Sequence, residues 1–501
     1  MSQLSTARPR PQLISTLMPY QEEATQWCLD HEEIGGILAY DMGLGKTVIG
    51  CATIVKKPVQ TLVLLPTGLL SQWESEIKKH TTGLSVAIYH GPQRSKTRST
   101  VFQADVVLTT AAVAGKDMSS GIDFPMERWI IDEAHRLKNN YGKTYQNLQE
   151  NIGEVKYTLF FTGTPVCNHS NDLISLVYLT KLKPYNSQGF WKNKHDNFRI
   201  KNLKNILPKI MLRRTKEDTI PDLLPPITTK IIPLVLPKGI QTETYNYFID
   251  DEVVLRRIMR MRQAANDHKQ LGKLIAHQDS EIEKNYLQSE VSIKFQALKK
   301  KLEEIPSEDK VLVFSQFTSL LHKLHDSLLI NSESDKSIIY HGGLTAAEKS
   351  VTIQQFKTDP SIRVLFINLR AGGCGLNLVE ANHVLMLEPY WNESEQKQAI
   401  DRVYRIGQVK PVTIYKMYIR NSIETWLQQV QKMKKILSAS LIKPNITGTD
   451  AADEMAKNKS AAQNLFKFMG YMRIDTEYQT MRMGDGVDVN INDYTKQMEL
   501  V

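Results

Sequence analysis

Three stretches of the chain carry side chains suited to phosphate chemistry. In GGILAYDMGLGKT, residues 35–47, Gly43, Gly45, Lys46 and Thr47 follow one apolar run and open another. Glycines let backbone N–H groups approach phosphate oxygens, and a helix start adds positive potential. A lysine there can reach the β- and γ-phosphates, and a hydroxyl can ligate Mg²⁺. Tyr40 stands where the GxxxxGK[ST] pattern has its first glycine, so a structural glycine-rich turn is the competing reading. WIIDEAH, residues 129–135, ends an apolar run in Asp132 and Glu133. At the carboxyl edge of a parallel sheet, Asp132 would hold Mg²⁺ and Glu133 would orient and deprotonate a water. The competing reading is two acids capping a helix; the GKT loop upstream favours the chemical one. In QKQAIDRVYRIGQ, residues 396–408, Arg402 and Arg405 fall one turn apart on an expected helix. Two such arginines can neutralise charge building on a γ-phosphate. Taken alone, the stretch reads rather as a surface helix with two solvated arginines.

Short β-branched runs must position these groups. TLVLLP (61–66), DVVLTT (105–110), WIIDEAH and YTLFFTGTP (157–165) alternate with helix-like stretches, the pattern of a parallel sheet buried on both faces. A second series starts at Lys310 with KVLVFSQF and continues through SIIYHGG, RVLFINLRAGG, HVLMLEPYW and VTIYKMYI. The expected fold class is therefore α/β, in two lobes with parallel sheets. Residues 240–300 are rich in Arg, Lys, Gln, Glu and Met and read as a helical connector; LPPITTKIIPLVLP before them reads as an extended segment crossing between lobes. The expected division is a first lobe at 1–225, a linker and helical insertion at 226–300, a second lobe at 301–440 and a tail at 441–501.

Bulk properties bound the reading. A chain of 501 residues has room for several domains, and 41% hydrophobic with 23% charged residues is ordinary for a globular protein. No apolar run approaches the ~18 residues of a membrane span, so no membrane role is expected. The N-terminal MSQLSTARPRPQL has no apolar core of a secretory signal, which favours an intracellular protein. Cys28, Cys51, Cys167 and Cys374 form no CxxC pair, so buried thiols are expected rather than a zinc site or disulfides. The net charge of +9 suits a polyanionic partner without requiring one.

The order of these stretches resembles the SNF2 family of the helicase superfamily 2 ATPases, from about Leu17 to Glu424. LMPYQEEA is similar to its Q motif, with Gln21 as the implied base reader. The loop Asp41, Met42, Gly43, Leu44, Gly45, Lys46 and Thr47 matches motif I, and LVLLPTGLLSQWESEI matches motif Ia. DEAH is motif II, and FTGTPVCN, with Thr162, Gly163 and Thr164, resembles the coupling motif III. MLRRTKED, MRQ (261–263) and SIKFQAL point to the SNF2 branch. KVLVFSQF resembles motif IV. NLRAGGCGLNL resembles motif V, where Arg370, Gly372, Gly373 and Asn377 are the implied nucleic-acid and coupling residues. RVYRIGQ resembles motif VI. The compact length resembles the SNF2-like global transactivators of large DNA viruses such as baculoviruses. Departures are Tyr40 at a usual acid, Ala111 and Ala112 at a usual Tyr, and Lys349 at a usual Arg.

The resemblance implies two RecA-like lobes that bind ATP and Mg²⁺, with Thr47 and Asp132 on the metal. Lys46, Asp132, Glu133, Arg402 and Arg405 would be the catalytic set. It implies translocation on double-stranded DNA, with nucleosomes or DNA-bound transcription proteins as partners. Action would be in the nucleus or a viral replication compartment. Two other readings stay open. One is a superfamily 2 helicase that separates strands; the other is a non-catalytic chromatin or transcription scaffold.

Overall fold

The computed structural model describes residues 10–137, 142–165, 170–192, 194–249, 254–275, 284–285, 289, 291–331, 336–371, 375–442, 473–474, 481–482 and 488–489. The chain divides into two compact units. The first is Met1–Leu224 with Ile436–Ala452, and the second is Pro225–Lys435 with Asp453–Val501.

Seven described strands build the main sheet of the first unit: β1 (Gly36–Tyr40), β2 (Thr61–Leu64), β3 (Val86–Ile88), β4 (Val106–Thr109), β5 (Arg128–Ile131), β6 (Tyr157–Phe161) and β7 (Met211–Arg214). Their spatial order is β3-β4-β2-β5-β6-β1-β7, and every pairing is parallel. β1, β2, β4, β5 and β6 are buried along their whole length, which explains why they read as continuous rather than alternating apolar runs. A parallel sheet places all its carboxyl ends on one edge. The ends of β1, β5 and β6, with Tyr40, Ile131 and Phe161, therefore meet there. Three helices matter for that edge: α1 (Pro19–His31), α2 (Lys46–Lys56) and α3 (Leu70–His80). α2 begins directly after the glycine loop. Gly50 on its buried face lets Trp73 of α3 pack close, since a Cβ there would meet the indole at 2.9 Å.

The second unit holds β8 (Ile227–Leu234), β9 (Lys310–Ser315), β10 (Lys336–Tyr340), β11 (Ile362–Asn368), β12 (Ala381–Met386) and β13 (Val412–Ile419). The order among described strands is β8-β13-β12-β9-β11-β10, again all parallel. The Pro-punctuated stretch read as an extended crossing segment is thus extended, but its extension is an eight-residue edge strand paired with β13 from Ile227↔Val412 to Leu234↔Ile419. An edge tolerates Pro233, whose missing N–H would break a central ladder. The helical character read for residues 240–300 is present as α4 (Ile240–Tyr247), α5 (Val254–Asn266) and α6 (Ile293–Glu304). They share an apolar cluster with the end of β13: Tyr245, Met261, Ala264 and Ala265 lie against Ile419 and Ile423.

Cys28 and Cys51 are buried free thiols, as expected; Cys167 and Cys374 lie outside the described residues. Among the described residues no helix is long and apolar enough to cross a membrane.

Candidate active site

The loop after β1 makes the first half of the site. Gly43 and Gly45 take positive φ of 90° and 83°, which L side chains avoid, and so the loop turns back over the start of α2. Lys46, at the first position of α2 and 9% exposed, curls into that loop and donates to the carbonyls of Tyr40 (2.8 Å) and Asp41 (3.4 Å). Thr47 is half-buried beside it. Gln21, on α1, accepts from the Met18 N–H through Oε1 and donates from Nε2 to the Leu44 carbonyl at 3.3 Å. A Cβ on Gly45 would fall 2.4 Å from that amide, so the glycine is required by the approach as well as by its φ.

Two residues not singled out from the sequence, Arg213 and Trp73, brace this edge. Asp41 is buried to 1% and accepts from Arg213 Nη2 at 2.6 Å. Arg213 Nη1 donates to the carbonyls of Ala39 (2.6 Å) and Gly163 (3.5 Å). Trp73 donates from Nε1 to Asp132 Oδ2 at 2.9 Å.

β5 ends at Ile131, and the two acids come directly after it. Asp132 accepts the Glu133 N–H through Oδ1 at 2.8 Å. Burial raises its carboxyl well above the usual 3.8, to about 6; the Glu133 charge adds to the rise, and the Lys46 ammonium and the Trp73 bond oppose it. Glu133 adopts φ 50°, ψ 43°, a left-handed conformation uncommon for a side chain of this size. Its Oε2 lies 3.3 Å from His135 Nδ1, yet this buried oxygen has no hydrogen bond of normal geometry. The alternative of two helix-capping acids does not describe this arrangement: the next element is only a three-residue 3₁₀ turn, Ala134–Arg136, and Glu133 makes no side-chain cap bond to it.

The turn after β6 closes the group. His135 Nδ1 pairs with Thr162 Oγ1 at 3.0 Å, and the same oxygen accepts the Thr164 N–H at 3.1 Å. Gly163 lies against the glycine loop: a Cβ there would meet Met42 Cγ at 3.0 Å and Lys46 Nζ at 3.6 Å. One edge of one sheet thus gathers Gln21, the loop 41–47, Asp132, Glu133 and residues 162–164.

In the second unit the expectation of one helix for Arg402 and Arg405 is corrected. That helix, Glu393–Ile400, has ended before them, and residues 401–407 form a chain of turns. The side-chain amide of Gln408 bonds the carbonyls of Val379, Ala381 and Val403, and Gly407 takes φ 102°; these bonds, two of them to residues far back in the chain, replace a helical ladder. Arg402 is buried, and its carbonyl accepts the Leu378 N–H at 3.0 Å; Arg405 Nη1 reaches the Leu376 carbonyl at 3.5 Å. This ties the turns to residues 376–378, where Asn377 is exposed. Arg370 is exposed and donates to the Tyr390 hydroxyl at 3.0 Å. Gly372 and Gly373 lie outside the described residues.

The residues present suit a magnesium nucleotide. The glycine loop offers backbone donors and Lys46, while Thr47 and Asp132 offer the hydroxyl and carboxylate oxygens that Mg²⁺ prefers. Among the described residues no group of three or more His, Cys, Asp or Glu could hold a metal ion unaided.

Residues 20–301, more than half of the chain, match the SNF2-related domain, and residues 293–407 match the helicase conserved C-terminal domain. The chain belongs to the SNF2-related family of helicase-like ATPases. Similar proteins include CHROMATIN REMODELING 4 of Arabidopsis thaliana, 28% identical over 92% of this chain and 22% of that protein. The probable global transactivator of Orgyia pseudotsugata multicapsid polyhedrosis virus is 27% identical over 83% of this chain and 90% of its own length. The putative ATP-dependent helicase/translocase YwqA of Bacillus subtilis is 28% identical over 86% of this chain and 49% of its own. The chain therefore spans from about a fifth to nine-tenths of these relatives. Among solved structures, the Sulfolobus solfataricus SWI2/SNF2 ATPase core in complex with dsDNA is 24% identical, with TM-score 0.40, covering 88% of this chain and 97% of that one.

Proposed function

We propose that this SNF2-related chain hydrolyses ATP, with Mg²⁺, to drive translocation along double-stranded DNA, and so remodels DNA–protein complexes or regulates transcription. The observation that carries the hydrolytic part is the buried pair Asp132–Glu133 at the carboxyl end of β5, on the same edge as the Lys46 loop. Lys46 and the loop N–H groups would bind the phosphates, and Gln21 the base. Thr47 and Asp132 would hold Mg²⁺, which when bound stabilises charge on the phosphates. Glu133 would hold and accept a proton from water at Oε2, the buried oxygen without a hydrogen bond. Arg402 and Arg405 are proposed to neutralise γ-phosphate charge during turnover.

The choice of duplex DNA rests on the family and on the viral and chromatin relatives, as does the nuclear or viral replication compartment. Thr162, Gly163 and Thr164 would couple hydrolysis to movement, and Arg370, Gly372, Gly373 and Asn377 would face the nucleic acid. Backbone contacts of this kind are independent of sequence and sensitive to salt. The test is steady-state ATPase with no nucleic acid, duplex DNA, single-stranded DNA or RNA, using Lys46→Ala as control. Stimulation by duplex alone is expected. Preference for single strands or RNA would favour a strand-separating helicase, and turnover indifferent to Lys46→Ala would leave a scaffold. Glu133→Gln should bind ATP and fail to hydrolyse it.

A further inference from the structure

We infer that Arg213 is a positioning residue for the nucleotide: it holds the phosphate loop and the Gly163 turn in one arrangement, and so sets ATP affinity rather than the rate of the chemical step. The inference rests on the nucleotide reading above.

The geometry is specific. Arg213 lies on β7, the strand beside β1, and its guanidinium reaches three different segments. Nη2 donates to Asp41 Oδ1 at 2.6 Å, at the first residue of the glycine loop. Nη1 donates to the Ala39 carbonyl at 2.6 Å, inside β1, and to the Gly163 carbonyl at 3.5 Å. The Asp41 N–H donates in turn to the Arg214 carbonyl at 3.0 Å, so Asp41 is tied to β7 through both backbone and side chain. Asp41 is 1% exposed, whereas Arg213 is partly open to solvent.

These bonds constrain the loop beyond them. The backbone of Asp41 launches the turn whose Gly43 and Gly45 present N–H groups, and Gly163 packs against Met42 and Lys46 from the other side. A planar guanidinium satisfies several acceptors in fixed directions at once; an ammonium is a point charge that cannot hold the same set. Without Arg213 the buried Asp41 carboxylate loses this charged donor. The Asp41 side chain is then freed from β7, leaving only its backbone bond to Arg214, and the Gly163 carbonyl loses its tie to the same guanidinium. No atom of Arg213 is among the groups proposed to accept a proton or bind water, so the chemical step at Glu133 should be spared.

The test is a double-mutant cycle with Arg213→Gln, Asp41→Asn and the double variant, plus Arg213→Lys. The readouts are equilibrium binding of a fluorescent ATP analogue, ATPase KM and kcat, and thermal melting. Arg213→Gln should weaken nucleotide binding about tenfold or more, with KM rising in step and kcat at saturation held within about twofold; a tenfold change is the scale of a charged pair's loss. The double variant should be no worse than the weaker single one, and Arg213→Lys should fall between Gln and wild type. Additive effects, or unchanged affinity in a folded Arg213→Gln protein, would overturn the inference. So would a fall in kcat with KM unmoved. A wild-type protein that binds no nucleotide would instead defeat the functional reading, and the melting cycle would still report whether Arg213 and Asp41 are coupled.

Discussion

The indole N–H of Trp73 and the carboxylate of Asp132 meet at 2.9 Å, although the two residues stand 59 positions apart in the chain. Trp73 is buried to 1% on α3, and its ring also packs over Gly50 of α2. The bond favours the ionised carboxylate that a Mg²⁺ ligand must be. Trp73→Phe keeps most of the packing and removes the donor. The Asp132 carboxyl should then rise further, and the Mg²⁺ concentration for half-maximal ATPase should increase several-fold. A hydrogen bond to a charged group contributes ~1.5–3 kcal/mol, so a measurable loss of stability is expected as well. Magnesium titrations of the two proteins at one pH, with denaturant melts beside them, check this; an unmoved magnesium midpoint refutes it.

The raised Asp132 carboxyl makes stability and ligand binding depend on pH in opposite directions. Its folded value, about 6, lies above the usual 3.8. Below about pH 4 the group is protonated in both states and has no effect. As pH rises from about 4 to 6 the unfolded chain ionises this carboxyl while the folded protein keeps it protonated, and stability falls by up to ~3 kcal/mol relative to low pH. Asp132→Asn should therefore be more stable than wild type at pH 7.5, and the difference should close at pH 4. Binding of Mg²⁺ needs the ionised form, so Mg·ATP affinity should weaken as pH falls through about 6. Denaturant melts and nucleotide titrations across pH 4–8 measure both.

How much of the site is legible in the sequence depends on the distance between partners along the chain. Lys46, Thr47, Asp132 and Glu133 each belong to a short local pattern at a strand end, and the parallel sheet gathers them on one edge. Arg213–Asp41 spans 172 residues and Trp73–Asp132 spans 59; neither pairing follows any local period, and only the folded sheet brings them together. The available signal is that both arginine and tryptophan sit in family-like stretches, MLRRTKED and QWESEI. The helix expected for Arg402 and Arg405 fails for a related reason. Helical spacing is local, whereas the bonds that redirect the chain run from Gln408 to Val379 and Ala381, 29 and 27 residues away. Pro233 similarly argues against a strand, and only an edge position, which is a tertiary fact, permits it.

Thr162 bridges two stretches that lie apart in the sequence. Its hydroxyl pairs with His135 Nδ1 and accepts the Thr164 N–H, so the DEAH segment and the TGTP turn share one buried oxygen. Thr162→Val is close in shape and lacks that oxygen, leaving a buried imidazole nitrogen and an amide without it, at a cost of ~1–3 kcal/mol. ATP binding should persist within about threefold, because Lys46 is placed by the Tyr40 and Asp41 carbonyls. Stimulation by duplex DNA should fall about tenfold. Comparing unstimulated and stimulated turnover in the same preparation separates the two effects; a variant stimulated like wild type would remove Thr162 from the coupling role.

The second unit offers a test of its own. Lys294 on α6, 2% exposed, pairs with Glu424, fully buried at the start of the helix Ile423–Ile442, and also donates to Asn266 Oδ1 at 2.9 Å. Glu424 Oε2 accepts the Ile419 N–H at 2.8 Å, at the end of β13. The pair therefore joins α5, α6 and the last strand of the sheet. Removing one buried charge strands the other, so Lys294→Met should lose ~3–5 kcal/mol, read as a lower denaturant midpoint. Lys294→Met combined with Glu424→Gln should recover part of that loss: the glutamine carbonyl still accepts from Ile419, and no unpaired charge remains. A double variant as unstable as the single one would mean that geometry at Glu424, rather than charge balance, holds this junction.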